Sequence, residues 1–229
     1  MRISKVEVLG EVIIPESNIA SSTVEFLKGS YFWVVPKNSS LFYSKDKLQK
    51  FLLQKFPRIE SLKVSLKNLE TIEINLAERS PFGMWCKKLE GDMSEQCYFL
   101  DEQGFIYSEA PQFSGNVYFK YYGGILSDQF MGQNYLSPNI FGDINGMIDK
   151  ARSFGFVPLF ISTEDSKVFE ISLENGGRIL FDLKQPVSKT EDNLTLLLRT
   201  EPFTTTTPNS VPIDYIDLRF GNKLFYKLK

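Results

Sequence analysis

Between residues 62 and 76 this sequence alternates apolar and polar side chains almost without error. Leu62, Val64 and Leu66 are interleaved with Lys63, Ser65 and Lys67, and after a turn near Asn68 come Ile72, Ile74 and Leu76 with Glu73 and Asn75 between them. Successive side chains of a strand point to opposite faces, so the run describes two half-buried strands joined as a hairpin. A sheet with one apolar face must bury it against another layer. The preceding sequence offers that layer and a third strand. Residues 3–9 (ISKVEVL) alternate Val6 and Val8 with Lys5 and Glu7. Pro15-Glu16-Ser17 opens a helix with Ile19, Thr23, Phe26 and Leu27 on one side, and Gly29 stops it. Ser44 has the character of a cap for a second helix, with Leu48, Phe51, Leu52 and Phe56 turned inward and Pro57 ending it. Residues 30–43 between them form an apolar connector without helical spacing. The expected first unit is β-α-α-β-β, with two helices covering one face of a three-stranded sheet.

From Glu78 onward the pattern changes to many short strands. Residues 82–86, 97–100 and 105–108 predict a meander, the last two strands joined by the turn Asp101-Glu102-Gln103-Gly104. Residues 116–122 read as an aromatic strand closed by Gly123-Gly124. Ser137-Pro138 starts a helix whose inner face is Ile140, Ile144, Ile148 and Ala151, with Phe141 beside them, and Gly155 ends it. Strands follow at 157–162, 168–173 and 178–183, the last two separated by the hairpin turn Glu174-Asn175-Gly176-Gly177. Thr190-Glu191-Asp192 is expected to cap a short helix through Leu194, Leu197 and Leu198. Residues 201–212 are a Thr- and Pro-rich loop, and strands at 213–220 and 223–228 close the chain around Gly221-Asn222. The fold class is therefore α+β, with a first domain at 1–79 and a larger mixed or antiparallel β domain with two helices at 80–229.

Function is narrowed first by what is missing. No histidine occurs among the 229 residues. That removes Ser-His-Asp and Cys-His nucleophile systems, HExxH zinc proteases and His-based acid–base chemistry. The 28 Asp and Glu leave carboxylate chemistry formally open, but no catalytic pair stands out among so many. With 26 Lys and Arg the net charge is −2, and the basic residues are scattered, so no nucleic-acid footprint and no polybasic membrane patch is present. No stretch approaches the roughly 20 apolar residues of a membrane span. The opening Met1-Arg2-Ile3-Ser4-Lys5 runs into a strand pattern rather than a signal peptide.

The two cysteines, Cys86 and Cys97, flank one predicted turn. Opposite positions of a hairpin lie about 4.5–5.5 Å apart at Cα, within disulfide reach. Two buried thiols in a reducing compartment are the alternative, and the shared turn favours the bridge. A bridge implies export, and the expectation is then either that a signal or anchor has been removed ahead of residue 1 or that the export inference is wrong.

Several short strings resemble the FtsQ/DivIB family of bacterial cell-division proteins. Glu78-Arg79-Ser80-Pro81-Phe82-Gly83-Met84-Trp85 resembles the family's E-R-x-P-x-x-x-W string, and Leu100-Asp101-Glu102-Gln103-Gly104-Phe105-Ile106 its strand-D-x-x-G-strand signature. Phe56-Pro57-Arg58-Ile59 resembles the P-x-I/V lead into the hairpin, and Tyr215-Ile216-Asp217-Leu218-Arg219-Phe220 the closing y-I-D-L-R-y/f string. They occur in the family's order, inside an element order similar to its POTRA-plus-β arrangement.

The resemblance implies a non-catalytic, bitopic divisome scaffold, with no cofactor, no metal and no catalytic residue. It implies placement outside the cytoplasm at the septum, anchored in the cell membrane by an N-terminal helix that this sequence does not contain. Its implied partners are FtsB/DivIC-like and FtsL-like single-pass coiled-coil proteins and the septal peptidoglycan synthase complex, with no nucleic acid. The partner contact is β-strand addition at the end of the β domain, where an edge strand offers free backbone groups. Here that strand is Lys223-Leu224-Phe225-Tyr226-Lys227-Leu228-Lys229. Leu224, Tyr226 and Leu228 are expected to face the core, and Phe220, Lys223, Phe225 and Lys227 to meet the partner. The plainer alternative is that both Phe are ordinary core or lid residues and both Lys guard an edge. Asp217 and Arg219 are expected to form a structural ion pair, and Trp33 and Trp85 to be core anchors. The sequons Asn38-Ser39-Ser40 and Asn193-Leu194-Thr195 are expected to be without function. Two other functions compete: a cell-envelope glycan hydrolase with paired carboxylates about 5–9.5 Å apart, and a POTRA-type accessory of outer-membrane protein assembly.

Overall fold

The computed structural model of the chain describes residues 2–10, 13–31, 35–88, 95–125 and 127–229. It divides into two units, Met1–Ser80 and Pro81–Lys229. In the first, β1 (Lys5–Leu9) leads to α1 (Glu16–Phe26), β2 (Ser30–Tyr31) pairs with β3 (Val35–Pro36), and α2 (Lys45–Lys55) precedes β4 (Ile59–Asn68) and β5 (Thr71–Glu78). The alternating run forms the antiparallel β4–β5 ladder, with Leu62 opposite Leu76, Val64 opposite Ile74 and Leu66 opposite Ile72. β1 lies on the other side of β5 and parallel to it, with Val6 against Ile72 and Val8 against Ile74. A parallel neighbour requires a crossover, and the two helices lie within it. Their apolar faces bury Ile19, Leu48 and Leu52 with Val64, Ile72 and Ile74. Each fully buried aliphatic side chain contributes about 1.5–3 kcal/mol relative to exposure. Thr23, buried in α1, donates its hydroxyl to Ile19 O at 2.8 Å. At the end of β5, Glu78 accepts from Arg58 Nε at 2.6 Å and from the amides of Ile13 and Ile14, each at 2.8 Å. Within the connector at 30–43, which lacks helical spacing, β2 and β3 form a short ladder. Trp33 lies outside the described residues.

The second unit contains β6 (Gly83–Lys88), β7 (Glu95–Leu100), β8 (Ile106–Glu109), β9 (Lys120–Gly123), α3 (Pro138–Ser153), β10 (Pro158–Thr163), β11 (Val168–Leu173), β12 (Arg178–Asp182), α4 (Val187–Leu197), β13 (Ile213–Phe220) and β14 (Lys223–Leu228). Among the described residues nine strands form one mixed sheet in the order β14-β13-β12-β11-β10-β9-β6-β7-β8. The inward phases of the strands, including Trp85, Tyr121, Ile161, Phe169, Phe181 and Ile216, pack with Phe141, Ile144 and Ile148 of α3 and Leu194 and Leu197 of α4. Met84, Cys86, Phe99 and Tyr107 form a separate small cluster. Among the described residues no helix is long and apolar enough to cross a membrane.

Three elements differ from their sequence expectation. The aromatic run at 116–122 yields only the four-residue β9, because its first part covers the small cluster instead of extending the strand. Tyr118 stacks edge-on against Phe99 at 5.4 Å and Phe113 against Tyr118 at 5.4 Å. Helix α4 begins one turn before Thr190, because Pro186 takes an extended conformation and its carbonyl accepts the Lys189 amide at 3.0 Å. Thr190 is consequently buried inside the helix. On α3, Met147 is buried where no inward residue was expected, and Ile140 is only partly buried.

Candidate functional site

β13 and β14 form the antiparallel ribbon at one end of the sheet, joined through Gly221-Asn222. Gly221 adopts φ +67°, a conformation side chains rarely take. Asn193 of α4, itself buried, donates Nδ2 to Gly221 O at 2.6 Å and so ties the turn to the helix. One expected sequon is thus a structural asparagine. Nothing in the local sequence distinguishes Asn193 from a helix-surface residue, since its partner is a backbone carbonyl 28 positions away.

The two ends of the sheet differ. At β8, Ile106 donates to Gln133 O at 2.9 Å and accepts from Gly132 N at 2.8 Å, so a neighbouring segment satisfies that edge at Ile106. At β14, no described residue pairs with the outer side. The Lys229 amide donates inward to Pro212 O at 2.7 Å. Backbone groups alternate sides along a strand, so the amides of Leu224, Tyr226 and Leu228 face away from β13.

Side chains on β14 alternate the other way. Leu224 packs on the main core, whereas Tyr226 is 40% exposed and Leu228 36%. The three were expected to face the core, and the core does reach Leu224 and the ring of Tyr226, but it leaves Tyr226 and Leu228 largely uncovered. Tyr226 meets that same core through the ring of Phe203 at 5.7 Å. Phe220 and Phe225 are 54% and 48% exposed and meet edge to face at 5.2 Å, so neither is a core residue. Lys227 pairs with Asp214 at 3.0 Å across the ribbon. That hydrogen bond holds the Asp214 carboxyl below its usual range. For the Lys223 side chain no hydrogen bond or ion pair is seen among the described residues.

Phe220, Lys223 and Phe225 border an open groove of about 1120 Å³ that continues over β13 and β12 to Tyr215, Leu180 and Arg178. Lys189 from α4 and the Asp217–Arg219 pair complete it. Four of its bordering side chains are cationic and Asp217 is its one carboxylate, already held by Arg219 at 2.5 Å. The groove therefore favours an anionic or polar segment with an apolar side chain for the two Phe. Arg178, Leu180 and Lys189 are contributors that sequence reasoning missed. Arg178 reaches the groove only because β12 pairs in parallel with β13, setting it against Tyr215, and no local pattern encodes that pairing.

The cysteines lie at the far end of the sheet. Cys86 and Cys97 stand directly opposite on β6 and β7, Cα atoms 4.1 Å apart, and are joined by a disulfide. The Cys97 carbonyl accepts the Ala110 amide at 2.9 Å, so its backbone faces β8 and the pair occupies a narrow, non-hydrogen-bonded site. Trp85 next to it is buried, with Nε1 donating to Gly123 O at 3.0 Å.

Compared with known proteins, the sequence matches no family model and no curated protein.

Proposed function

We propose that this chain is the extracytoplasmic part of an FtsQ/DivIB-type division protein and acts as a non-catalytic scaffold. On this reading the first unit is a POTRA domain, and β14 accepts a strand from an FtsB/DivIC-like partner. FtsL-like proteins and the septal peptidoglycan synthase complex are reached through that assembly. An N-terminal helix outside this sequence anchors it in the membrane at the septum.

The observation that carries the proposal is the unsatisfied outer side of β14 beside two exposed phenylalanines. An added strand would satisfy the outward amides of Leu224, Tyr226 and Leu228, and the Phe220–Phe225 groove would receive one of its side chains. The β1-α1-α2-β4-β5 order and the four strings that resemble the family support the same reading.

The test separates backbone from side chain at one position. Tyr226→Ala keeps the outward amide, whereas Tyr226→Pro removes it without breaking a bond to β13. Affinity for a peptide from an FtsB/DivIC-type partner is measured by calorimetry on both variants, after matching their melting temperatures to the unmodified chain. Tyr226→Pro should weaken binding by roughly tenfold or more relative to Tyr226→Ala. Equal affinities would remove strand addition at β14.

A further inference from the structure

The β6–β7–β9 face carries a second set of groups that the binding reading does not use. Glu95 lies two residues before Cys97 on β7, hence on the same face, and Tyr122 of β9 stands opposite Cys86. One carboxylate oxygen of Glu95 and the sulfurs of Cys86 and Cys97 all lie within 4.8 Å of one another. Glu95 is held in place: Tyr122 Oη donates to Oε2 at 2.6 Å, and Lys120 Nζ pairs with Oε1.

We propose that the Cys86–Cys97 disulfide masks a site for a borderline-soft divalent cation of the zinc class. Reduction unmasks two thiolates, and Glu95 is the third ligand. Zinc takes Cys sulfur at about 2.3 Å and carboxylate oxygen at about 2.0–2.2 Å in a tetrahedral arrangement. Three donors already within 4.8 Å converge on such an ion with side-chain adjustment alone. Charge also balances. Two thiolates and one carboxylate are neutralised by the divalent ion together with the Lys120 ammonium, so the cluster leaves no net charge in a partly buried place. Tyr122 and Lys120 act as the outer partners that orient a ligating carboxylate. A cavity of about 400 Å³ adjoins Cys86, and a second of about 420 Å³ adjoins Cys97 and Glu95, so solvent space lies beside each ligand.

The chemistry that opens the site needs a dithiol reductant. Its thiolate attacks Sγ of Cys97, the less buried of the two residues, and Cys86 leaves as the thiolate. The reductant's second thiol then displaces Cys97 and departs as its own disulfide. Two electrons have passed to the protein, and both cysteines take up protons. Binding the cation releases those two protons to solvent. Metal and disulfide are mutually exclusive, so the ion withdraws the reduced pair from reoxidation.

The test uses the full chain and Co²⁺ as a coloured probe for zinc. After reduction with a phosphine, titration should produce a thiolate-to-cobalt charge-transfer band saturating at one equivalent, which Zn²⁺ abolishes. The oxidised chain should show none. Cys97→Ser should lose the band, and Glu95→Gln should weaken binding by roughly tenfold or more. A reduced chain without the band, or Glu95→Gln binding as tightly as the unmodified chain, would overturn the proposal. Should reduction unfold the second unit, Zn²⁺ must restore its far-ultraviolet circular dichroism, and failure to do so overturns the proposal equally.

Discussion

Arg219 clasps Asp217 two residues earlier on β13, with Nε donating to Oδ1 at 2.8 Å and Nη2 to Oδ2 at 2.5 Å. Burial raises the Asp217 carboxyl, but the hydrogen bonds from Arg219 outweigh it and hold the group below its ordinary 3.8. A depressed carboxylate adds stability above its unfolded value and loses it as pH falls through the lower folded value. Arg219→Ala strands a buried charge and should cost about 1–3 kcal/mol at pH 7. Asp217→Asn should cost less, because Arg219 is partly exposed and can turn to water. The difference between Arg219→Ala and the unmodified chain should shrink as pH drops below about 4, where Asp217 protonates in the unfolded chain. Urea denaturation at pH 7 and pH 3 measures both.

Gly123 closes β9 against β10 at φ +75°, and a Cβ there would sit 1.8 Å from the Thr163 carbonyl oxygen. Backbone cannot yield as a flexible side chain does. Gly123→Ala should therefore destabilise the second unit by more than about 2 kcal/mol, combining strain at positive φ with displacement of a strand. Gly115, at φ +93° with open space around it, isolates the first effect. Gly115→Ala should cost only about 1 kcal/mol. Chemical denaturation of the two variants compares them directly.

The Cys86–Cys97 bridge spans 11 positions, and closing a loop of that size is worth about 3 kcal/mol through the unfolded state. The double variant Cys86→Ala/Cys97→Ala should lose about that much. The loss should fall on the second unit, leaving protection of the β4–β5 ladder unchanged. Hydrogen exchange resolved by segment tests both statements.

These residues also mark where sequence reasoning succeeds. Cys86 and Cys97 share one hairpin, and the ribbon from Ile213 to Leu228 turns at Gly221-Asn222, so both pairings are written locally, although two register shifts in β13 interrupt the alternation. The period-2 signal fixes which side of β13 Asp217 and Arg219 occupy. It does not fix what lies beside them. β9 enters between β6 and β10, and β12 joins β13 across α4, both in parallel and both by contacts distant in sequence. Arg178, Leu180 and Lys189 were missed for that reason. The exposure of Tyr226 and Leu228 has another origin: alternation assigns a face, but the outermost strand reaches beyond the layer that covers it.

The two contributions proposed for the partner site differ in kinetics and salt dependence. Lys223 and Lys227 are exposed, and Lys227 already shares its charge with Asp214 at 3.0 Å. Exposed charges act mainly on the encounter, and their reach contracts from about 10 Å at 0.1 M ionic strength to about 3 Å at 1 M. The double reversal Lys223→Glu/Lys227→Glu should slow association with an acidic peptide, and the deficit should fade between 0.05 and 0.5 M salt. Backbone bonds act after contact, so Tyr226→Pro should chiefly raise the dissociation rate and keep its effect at high salt. Surface plasmon resonance across that salt range separates them. If the Tyr226→Pro deficit faded with salt alongside the lysine reversal, attraction between surfaces would explain the contact without an added strand.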